Sequence, residues 1–528
     1  MNQFLSLNTE SLEFNDSGVV DYLWPITHDE IISFRNNFSL KLYSHLREKG
    51  IEHNDDNELL WLHAAQCVQF AMSLFNASVV IERFNGLNVK PFWGDNDQIY
   101  LNISKKKKLA SNNSLKVLQK GLPEVSRIRK LLRPLNTFVT NDGLIRKSKH
   151  HFNTKDIFTF SVSPLIESHV KENRGNVVFW LFADWYPSGP THENKLPPGA
   201  SKNCLLGLGE VLNESFKSMG VKLDEFLMES YIEQIKYSTR YIQFYKDSLE
   251  KNNKIPKIFW CGTAGNPWNR IMARVVSKNN GHVVGHDHGT SSGSWVTSLI
   301  ETMTEFNYVD DFYTYTNEMA LGIINGLNKK LLINENKTIN IIGLNNSKES
   351  KLVKTNKSSG IKNIMYVATT YASGSDILIE PIYADMVVLD WQYRLFRHLQ
   401  KMGMTMYFKT HPESICLPPN DFKRFNVNVL FGKFEDEYEK ADILIFDSPQ
   451  SSTFITALKS NLPIILIDTG RVVYQTKAIE KLKKRVNIIK ASVSRENRIN
   501  FDFEKLTDAI KNIGMLDNNE FLNEFYSI

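Results

Sequence analysis

The chain has 528 residues, of which 42% are hydrophobic and 23% are charged, both near the average for globular proteins. This composition excludes a disordered, collagen-like or coiled-coil protein, and the length suits roughly three to four ordinary domains or two large ones. Lys and Arg number 63 and Asp and Glu number 58, so the net charge is +5. Such a small excess excludes a dedicated nucleic-acid-binding protein, and it suits small anionic ligands or loose contact with an anionic membrane.

Four cysteines, Cys67, Cys204, Cys261 and Cys416, lie far apart and form no CxxC pair. This spacing argues against a disulfide framework or a structural zinc site and indicates a reducing compartment. The first residues are polar and acidic and lack the apolar core of a signal peptide, and no run of 18 apolar residues predicts a membrane-spanning helix. We therefore expect a soluble, cytoplasmic protein.

Residues 1–160 are predicted to form a helical N-terminal elaboration. Ile31–Lys49 and Glu58–Phe84 carry apolar residues at three- and four-residue spacing, which predicts a buried face on each helix. The polar, lysine-rich stretch 104–114 reads as a solvated loop, with a phosphate-binding role as the less favoured alternative.

From Asn176 onward, short apolar runs alternate with amphipathic stretches. The first series of runs is NVVFWLF (176–182), KIFWCG (257–262), HVVG (282–285) and FYTY (312–315), with helical patterns at Leu223–Lys251 and Pro267–Asn279. Buried strands that alternate with helices predict βαβ units and a parallel sheet.

A second series of the same kind follows. Its runs are INIIGL (339–344), NIMYVA (363–368), MTMYFK (404–409), ILIF (443–446) and PIILID (463–468), with helical patterns at Pro381–Met402 and Ser452–Ser460. The polar segment 345–360 reads as a linker or surface loop. The sequence therefore predicts an α/β fold with two Rossmann-like domains, 161–345 and 346–500, facing each other across a cleft, and a C-terminal helix at 501–528. In such sheets, ligands bind outside the carboxyl ends of the strands.

Three titratable residues, His286, Asp287 and His288, follow the HVVG strand directly. Asp287 can act as a base or nucleophile or orient an imidazole, and either histidine can donate to an anionic oxygen. The structural alternative is a polar turn whose imidazoles satisfy backbone groups, and a metal site at the two histidines lacks a third ligand nearby. We favour an accessible, reactive loop.

A second motif, Lys409-Thr410-His411-Pro412, ends the MTMYFK strand. Pro412 holds the preceding residue extended, so that Lys409 and His411 can point into the cleft. A lysine and a histidine together suit a phosphate, and the alternative is a surface charge pair beside a turn proline.

A third motif begins with Asp447 after the ILIF strand and continues into a run of small hydroxyl residues before a helix. Ser451, Ser452 and Thr453 can cap the free N–H groups of that helix, and the same N–H groups form an anion site. A further strand-to-helix junction carries Arg270, which can clamp a carboxylate or phosphate or lie at the surface.

In their order, the three loops resemble the acidic-acidic-Gly, HP and paired-serine motifs of bacterial sialyltransferases with the GT-B fold. The matching residues are Asp287 and Gly289, His411 and Pro412, and Ser451 and Ser452. His288 departs from that pattern, because it stands between the aspartate and the glycine. The HDHGT loop is closer to the HG(T) loop of capsule-type Kdo transferases and of CDP-glycerol or ribitol phosphotransferases, which also carry a K-x-HP motif and an Asp-plus-Ser loop. The resemblance spans residues 255–470.

The resemblance implies a GT-B fold and a CMP-activated sugar donor. It assigns the donor phosphate to the HP histidine and the serine pair, with the neighbouring residues of the same loops and of the loop after NIMYVA as further contacts. The donor-binding residues so implied are Lys409, His411, Pro412, Ser451, Ser452, Thr453, Asp447, Thr369 and Thr370.

The same resemblance implies that Asp287 is the catalytic carboxylate and His288 its partner, with His286 beside them. An ulosonate carboxylate on the donor would contact Arg270, Thr290 or Ser291. Lys, His and a helix N-terminus can neutralise the leaving CMP, so no metal or other cofactor is expected, and we find no convincing DxD metal motif.

The favoured function is a glycosyltransferase that moves an ulosonic acid (pseudaminic, legionaminic, sialic or Kdo-like) from CMP to a bacterial capsule or lipopolysaccharide acceptor. The alternatives are a CDP-glycerol- or ribitol-type phosphotransferase, a non-catalytic scaffold of capsule assembly, and a GT-B epimerase acting on a UDP-sugar. No nucleic-acid partner is expected. The basic stretch Lys477–Lys490 reads either as a solvated helix face or as a peripheral contact with the inner face of the inner membrane.

Overall fold

A computed structural model gives the architecture of most of the chain. The residues it describes are 4–6, 12–20, 22–51, 54–87, 90–92, 157–161, 163–172, 177–179, 196–252, 255–288, 292–297, 299–344, 361–369, 371, 383–411, 420–512 and 518–526.

Two short strand pairs come from the N-terminal part of the chain. β1 (Phe4–Ser6) is parallel to β4 (Lys90–Phe92), and β2 (Phe14–Asn15) and β3 (Gly18–Val19) form an antiparallel hairpin.

The first of two large sheets has six described strands, and every neighbouring pair is parallel. The strands are β5 (Ile157–Thr159), β6 (Val177–Phe179), β7 (Ile258–Cys261), β8 (His282–His286), β9 (Asp311–Thr314) and β10 (Asn340–Gly343). Their order across the sheet is β10-β9-β8-β7-β5-β6. The carboxyl ends of β7, β8 and β9 therefore lie side by side.

Helices pack around this sheet, and those before residue 160 form the N-terminal elaboration. The first sheet and its helices are called the first half of the protein. Asn266 caps the helix that follows β7, with Pro267 in its first turn, and Thr27 and Glu30 form a capping box at the first long helix. The described helices of this half are His28–Lys49, Asp55–Leu62, Ala64–Gly86, Pro164–Glu172, Lys202–Ser218, Glu225–Glu250, Pro267–Lys278, Leu299–Thr304 and Asn317–Gly326, with 3-10 turns at Phe306–Tyr308 and Lys329–Leu331.

The second large sheet has seven described strands, all parallel except the last. They are β11 (Asn363–Val367), β12 (Thr405–Lys409), β13 (Asn428–Leu430), β14 (Ile443–Phe446), β15 (Ile464–Asp468), β16 (Asn487–Val493) and β17 (Ile499–Phe501). Their order is β13-β12-β11-β14-β15-β16-β17. The central strand β14, of sequence ILIF, is buried along its whole length, as expected for a parallel sheet covered on both faces.

The second sheet and the helices described around it are called the second half. Together the two halves form a two-domain, GT-B-like α/β architecture, which confirms the predicted fold class. They are Asp385–Lys401, Phe434–Glu437, Ser452–Lys459, Thr476–Leu482, Phe503–Lys511 and Glu520–Phe525, with 3-10 turns at Asn420–Phe425 and Tyr438–Lys440.

The chain crosses between the two halves near both of its ends. The Val19 N–H donates to Asp390 of the second half at 2.9 Å, and Phe14 stacks on Tyr393 there. The helix His28–Lys49 then packs in the first half. Near the C-terminus, the helix Glu520–Phe525 contacts helices of both halves.

Three features differ from the organisation expected from sequence. β5 lies before residue 160, yet it pairs with both β6 and β7 inside the first sheet. The sequence groups the INIIGL run with the second series of strands, but it pairs with β9 in the first sheet, inside the predicted domain 161–345. β17 begins just before the predicted C-terminal helix, and pairing with β16 makes it part of the second sheet. The lysine-rich stretch 104–114 lies outside the described residues.

One helix in the described ranges, Ala64–Gly86, is long and apolar enough to cross a membrane. Of its 18 most apolar consecutive residues, 72% are buried inside the protein, and the helix packs against the helix His28–Lys49. Its apolar surface therefore belongs to the core of the first half.

Candidate functional site

A cavity of 440 Å³ opens at the carboxyl edge of the second sheet. The ends of β11, β12 and β14, the start of the helix Ser452–Lys459 and the loop 431–435 form its walls. The predicted donor-binding residues that line it are Thr369, Lys409, His411, Asp447, Ser451, Ser452 and Thr453. Residues from the second and third motifs and from the loop after β11 thus meet in one cavity, because parallel strands bring their carboxyl ends to the same edge.

Lys409 is a nearly buried cation in this wall. Its ammonium donates to the Thr410 carbonyl at 2.8 Å. Burial lowers the pKa of Lys409, and the acidic side chains Glu437 and Glu435 oppose that shift. His411, at the end of the same loop, is half-buried and also faces the cavity. Lys409 supplies positive charge for an anionic ligand, and the His411 imidazole can donate a hydrogen bond to it.

Asp447 lies at the end of β14 and is fixed from behind by a buried hydrogen-bond chain. The Tyr366 hydroxyl donates to its Oδ2 at 2.6 Å, and Gln392 donates to that hydroxyl at 2.7 Å. Tyr371 in turn donates to Gln392 at 2.6 Å. Burial raises the pKa of Asp447 to about 6, against the opposing effects of the Tyr366 hydrogen bond and the charge of Arg471.

The helix Ser452–Lys459 begins at the cavity wall. The Ser451 hydroxyl accepts a hydrogen bond from the Phe454 N–H at 3.1 Å, so Ser451 is the N-cap. Its own O–H and the other N–H groups of the first turn can still serve an anion, because helix N-termini carry unpaired donors and a partial positive charge. The capping and anion-binding interpretations of this loop are therefore compatible.

Buried aromatic and imidazole rings pack at the carboxyl edge of the first sheet. His286 and His169 are both buried, and their ring nitrogens approach within 2.9 Å. Trp260 stacks on His169 with ring centroids 4.2 Å apart. Burial lowers the pKa of His286 to about 3 and that of His169 to about 4, so both imidazoles are neutral at pH 7.

The expectation of an accessible loop carrying three reactive groups is therefore wrong for two of them. Asp287 is only 1% exposed, its N–H extends the β8–β9 ladder to Tyr313, and its Oδ2 accepts from Thr314 at 3.3 Å. His286 is equally buried, whereas His288 is exposed. The Asp287 N–H is still bonded to the neighbouring strand, whereas His288 lies in the loop beyond the strand, where it is open to solvent.

A carboxylate that the sequence analysis did not select lies at the same edge. Glu305 accepts from the Ala264 N–H at 2.7 Å and from the Thr263 hydroxyl at 3.0 Å. Both donors belong to the loop after β7. Glu305 is distant from them in sequence and stands just after a helix, so no local pattern points to this contact.

Arg270 does not serve as the expected carboxylate clamp, because its guanidinium is buried and occupied. It donates to the backbone oxygens of Leu62, Ala264 and Gly265, at 2.9, 2.9 and 3.1 Å respectively, and to the side chain of Gln66. It ties the N-terminal helices to the first sheet. Sequence alone cannot distinguish an inward from an outward face on the first turn of a helix.

The loop that follows the HDHGT motif meets the second half. The Val296 N–H donates to the Val473 carbonyl at 2.8 Å, and the Gln475 N–H donates to Ser294 at 3.1 Å. Gly293 has φ +95°, and a Cβ there would lie 2.2 Å from the Met319 carbonyl oxygen, so the close approach requires glycine.

Four predicted site residues, Thr290, Ser291, Thr370 and Pro412, lie outside the described residues. Arg471 also lines the cavity and was not selected from the sequence, because it follows the PIILID strand without a recognisable motif. Within the described ranges, no cluster of three or more His, Cys, Asp or Glu side chains is arranged to hold a metal ion.

The basic stretch after Tyr474 is largely paired within the protein. Lys477 contacts Glu318 at 2.8 Å and Glu524 at 2.5 Å, and Lys484 contacts Glu520 at 2.8 Å. These acidic partners lie on the helices Asn317–Gly326 and Glu520–Phe525. The stretch therefore presents less free positive charge than its sequence suggests.

Comparison with known proteins gave matches only among solved structures, since no family model and no curated sequence matches the chain. A UDP complex of MnaA from S. aureus is 10% identical, with a TM-score of 0.35 over 71% of this chain and 91% of that one. A putative UDP-N-acetylglucosamine 2-epimerase from Listeria monocytogenes is also 10% identical, with a TM-score of 0.33 over 60% of this chain and 81% of that one. Similarities of this size carry no argument about activity, so the site is interpreted from its own residues.

Proposed function

We propose that the chain is a glycosyltransferase that takes an ulosonic acid from a CMP-activated donor. The observation that carries the proposal is the meeting of Lys409, His411 and the Ser451 cap in one cavity at the edge of the second sheet. The order of the three motifs along the chain, and its resemblance to CMP-dependent transferases, supports cytidine as the base.

The cavity suits a nucleotide phosphate in size and charge. Its 440 Å³ falls within the range of ordinary small-molecule sites. Lys409 and Arg471 contribute positive charge, His411 can donate a hydrogen bond, and the helix beginning at Ser452 contributes N–H donors. Together these groups would stabilise the charge that develops on a departing CMP, so the proposed reaction needs no metal ion.

The first half supplies the acid–base chemistry in this proposal. His288 accepts the proton of an acceptor hydroxyl while that oxygen forms a bond to the anomeric carbon of the donor. The bond between the anomeric carbon and the phosphate oxygen breaks, and CMP leaves with its electron pair. Asp287 is buried and bonded to Tyr313 and Thr314, so we assign it the role of holding the loop in place.

The proposed acceptor is a growing capsule or lipopolysaccharide chain at the cytoplasmic face of the membrane. This part of the proposal rests on the resemblance alone. A peripheral membrane contact would have to compete with the ion pairs formed by Lys477 and Lys484.

The test is a donor screen with the purified protein. We expect release of CMP from CMP-ulosonic acids in the presence of acceptor glycan, and no turnover of CDP-glycerol, CDP-ribitol or UDP-N-acetylglucosamine. Lys409→Met should abolish the release, whereas Lys459→Met, at the far end of the helix that starts at the cavity, should not. Turnover of a CDP-polyol or of a UDP-sugar instead would overturn the proposal.

A further inference from the structure

Glu305 is a carboxylate of the first half that is bonded into the loop after β7 by a backbone N–H and a hydroxyl. Its partners are the Ala264 N–H at 2.7 Å and the Thr263 hydroxyl at 3.0 Å. These contacts place the carboxylate at the carboxyl end of β7. The helix Leu299–Thr304 delivers it there.

The end of β7 is adjacent to the end of β8, which carries His288. The register pairs Cys261 of β7 with Gly285 of β8. Thr263 therefore lies two residues beyond one member of this pair, and His288 lies three residues beyond the other. Neighbouring strands are about 4.8 Å apart, so Glu305 and His288 occupy the same small region of the sheet edge.

The surroundings of Glu305 agree with this placement. Burial raises its pKa, while the two hydrogen bonds, then the charge of His288 and that of Arg270, lower it. Cys261 and Arg270 are the buried titratable groups behind the loop, and Arg270 is occupied by backbone oxygens. His288 is thus the exposed partner available to this carboxylate.

We propose that Glu305 is the positioning residue for His288, a role that the sequence motif had suggested for Asp287. This inference rests on the proposed function, in which His288 takes the proton of the acceptor hydroxyl. A carboxylate beside the imidazole fixes its orientation and stabilises the imidazolium formed when the proton arrives. The proton stays on His288 and does not pass to Glu305.

Glu305→Gln separates this role from a purely structural one. A glutamine can accept from the Ala264 N–H and donate to the Thr263 hydroxyl, so both contacts of the loop are retained. What it loses is the negative charge beside His288. A merely structural Glu305 should therefore tolerate glutamine.

The matched control is Asp311→Asn. Asp311 contacts His282 at 2.7 Å at the amino end of the same strands, so it is a carboxylate–histidine pair on the edge opposite the site. We expect Glu305→Gln to lower kcat for sugar transfer by at least about tenfold with KM for the donor unchanged. Asp311→Asn should leave both constants unchanged. Full loss of an acid–base group lowers the rate by about 100-fold or more. A kcat for Glu305→Gln within about twofold of wild type would therefore overturn the inference.

A second readout does not depend on turnover. In protein labelled with ¹³C at glutamate side chains, the pKa of Glu305 should rise when His288 is replaced in His288→Asn, and it should not move in His282→Asn. An unchanged pKa in His288→Asn would show that the two side chains are not paired. If the wild-type protein turns over no CMP-ulosonic acid, the proposed function fails, whereas this titration still decides the pairing.

Discussion

The carboxyl edges of the two large sheets are built for different tasks. At the first sheet, rings and imidazoles fill the edge, so that Asp287 is 1% exposed and, of His286, Asp287 and His288, His288 alone is exposed. At the second sheet, the strands end around an open cavity of 440 Å³ with Lys409 and His411 in its wall. A shared position at a strand end therefore does not fix the role of a residue. The packing behind each loop determines whether a residue binds, reacts or supports.

Of the changes considered, replacement of His288 should have the largest effect on the rate of sugar transfer. We expect His288→Asn to lower the transfer rate by about 100- to 10,000-fold, because it removes the general base of the proposed reaction. CMP should bind with unchanged affinity, since the cavity belongs to the other half. Steady-state rates together with calorimetric titration measure both quantities. A variant that transfers sugar normally would show that the first edge does not carry the chemistry.

Each half also has its own buried carboxylate anchor, and loss of either should destabilise the protein by about 3–5 kcal/mol. Glu58 holds Lys246, Arg274 and Lys278 in the first half. Asp390 holds Arg394, Arg498 and the Val19 N–H in the second. Glu58→Ala and Asp390→Ala should lower the free energy of unfolding measured with denaturant.

The matched control for these anchors is Glu214→Ala, which breaks an exposed pair with Lys41. Its effect should stay below about 1 kcal/mol, because exposed pairs are screened by water. Comparable losses from the buried and exposed carboxylates would contradict the account of the two anchors.

Much of the second edge could be predicted from sequence, and much of the first could not. Lys409, His411, Asp447 and Ser451 each follow an apolar run, and the parallel sheet alone is sufficient to bring them together. The roles at the first edge depend instead on burial. Asp287 and His288 are adjacent in sequence but differ in exposure because of what packs behind them.

Long-range contacts explain the remaining differences. In the sequence, Arg270 resembles a free cation. In the structure, the N-terminal helices lie against it, and oxygens of Leu62 and Gln66 accept its hydrogen bonds. Glu305 reaches Ala264 across 41 residues of sequence, and no spacing rule covers such a contact. β5 is short and isolated in sequence, and only its two partner strands identify it as part of the sheet.

The closed packing of the first edge should make the protein less stable in mild acid. Unfolded histidine takes up a proton below a pH of about 6.5, whereas burial lowers the pKa of His169 to about 4 and that of His286 to about 3. The unfolded state therefore binds more protons in this window, and stability falls as the pH falls from 6.5 toward 4. Each histidine should contribute a slope of about 1.4 kcal/mol per pH unit.

Denaturant titrations between pH 4.5 and 7.5 measure this slope. His169→Phe should reduce the slope by the amount that one titrating proton contributes, about 1.4 kcal/mol per pH unit. An identical slope in His169→Phe and the wild-type protein would show that His169 is protonated when folded or already open to solvent.

The smallest effect is expected where the two halves meet at the surface. Lys477 bridges Glu318 of the first half and Glu524 near the C-terminus, but it is half exposed. Lys477→Gln should change the free energy of unfolding by less than about 1 kcal/mol and leave CMP binding unchanged. Sedimentation with anionic vesicles checks the membrane alternative, and strong binding that Lys477→Gln abolishes would show that this lysine is not satisfied within the protein.

A calorimetric titration of CMP, UDP and GDP against the wild-type protein, His411→Ala and Lys459→Met tests whether the second sheet edge binds a CMP-activated donor. We expect the wild-type protein to bind CMP in preference to the other two nucleotides. His411→Ala should weaken CMP binding by about 10- to 100-fold, the value of a hydrogen bond to a charged group. Lys459→Met should bind CMP like the wild-type protein. Preference for UDP or GDP, or an unchanged CMP affinity in His411→Ala, would contradict the assignment of the second edge as a CMP-donor site.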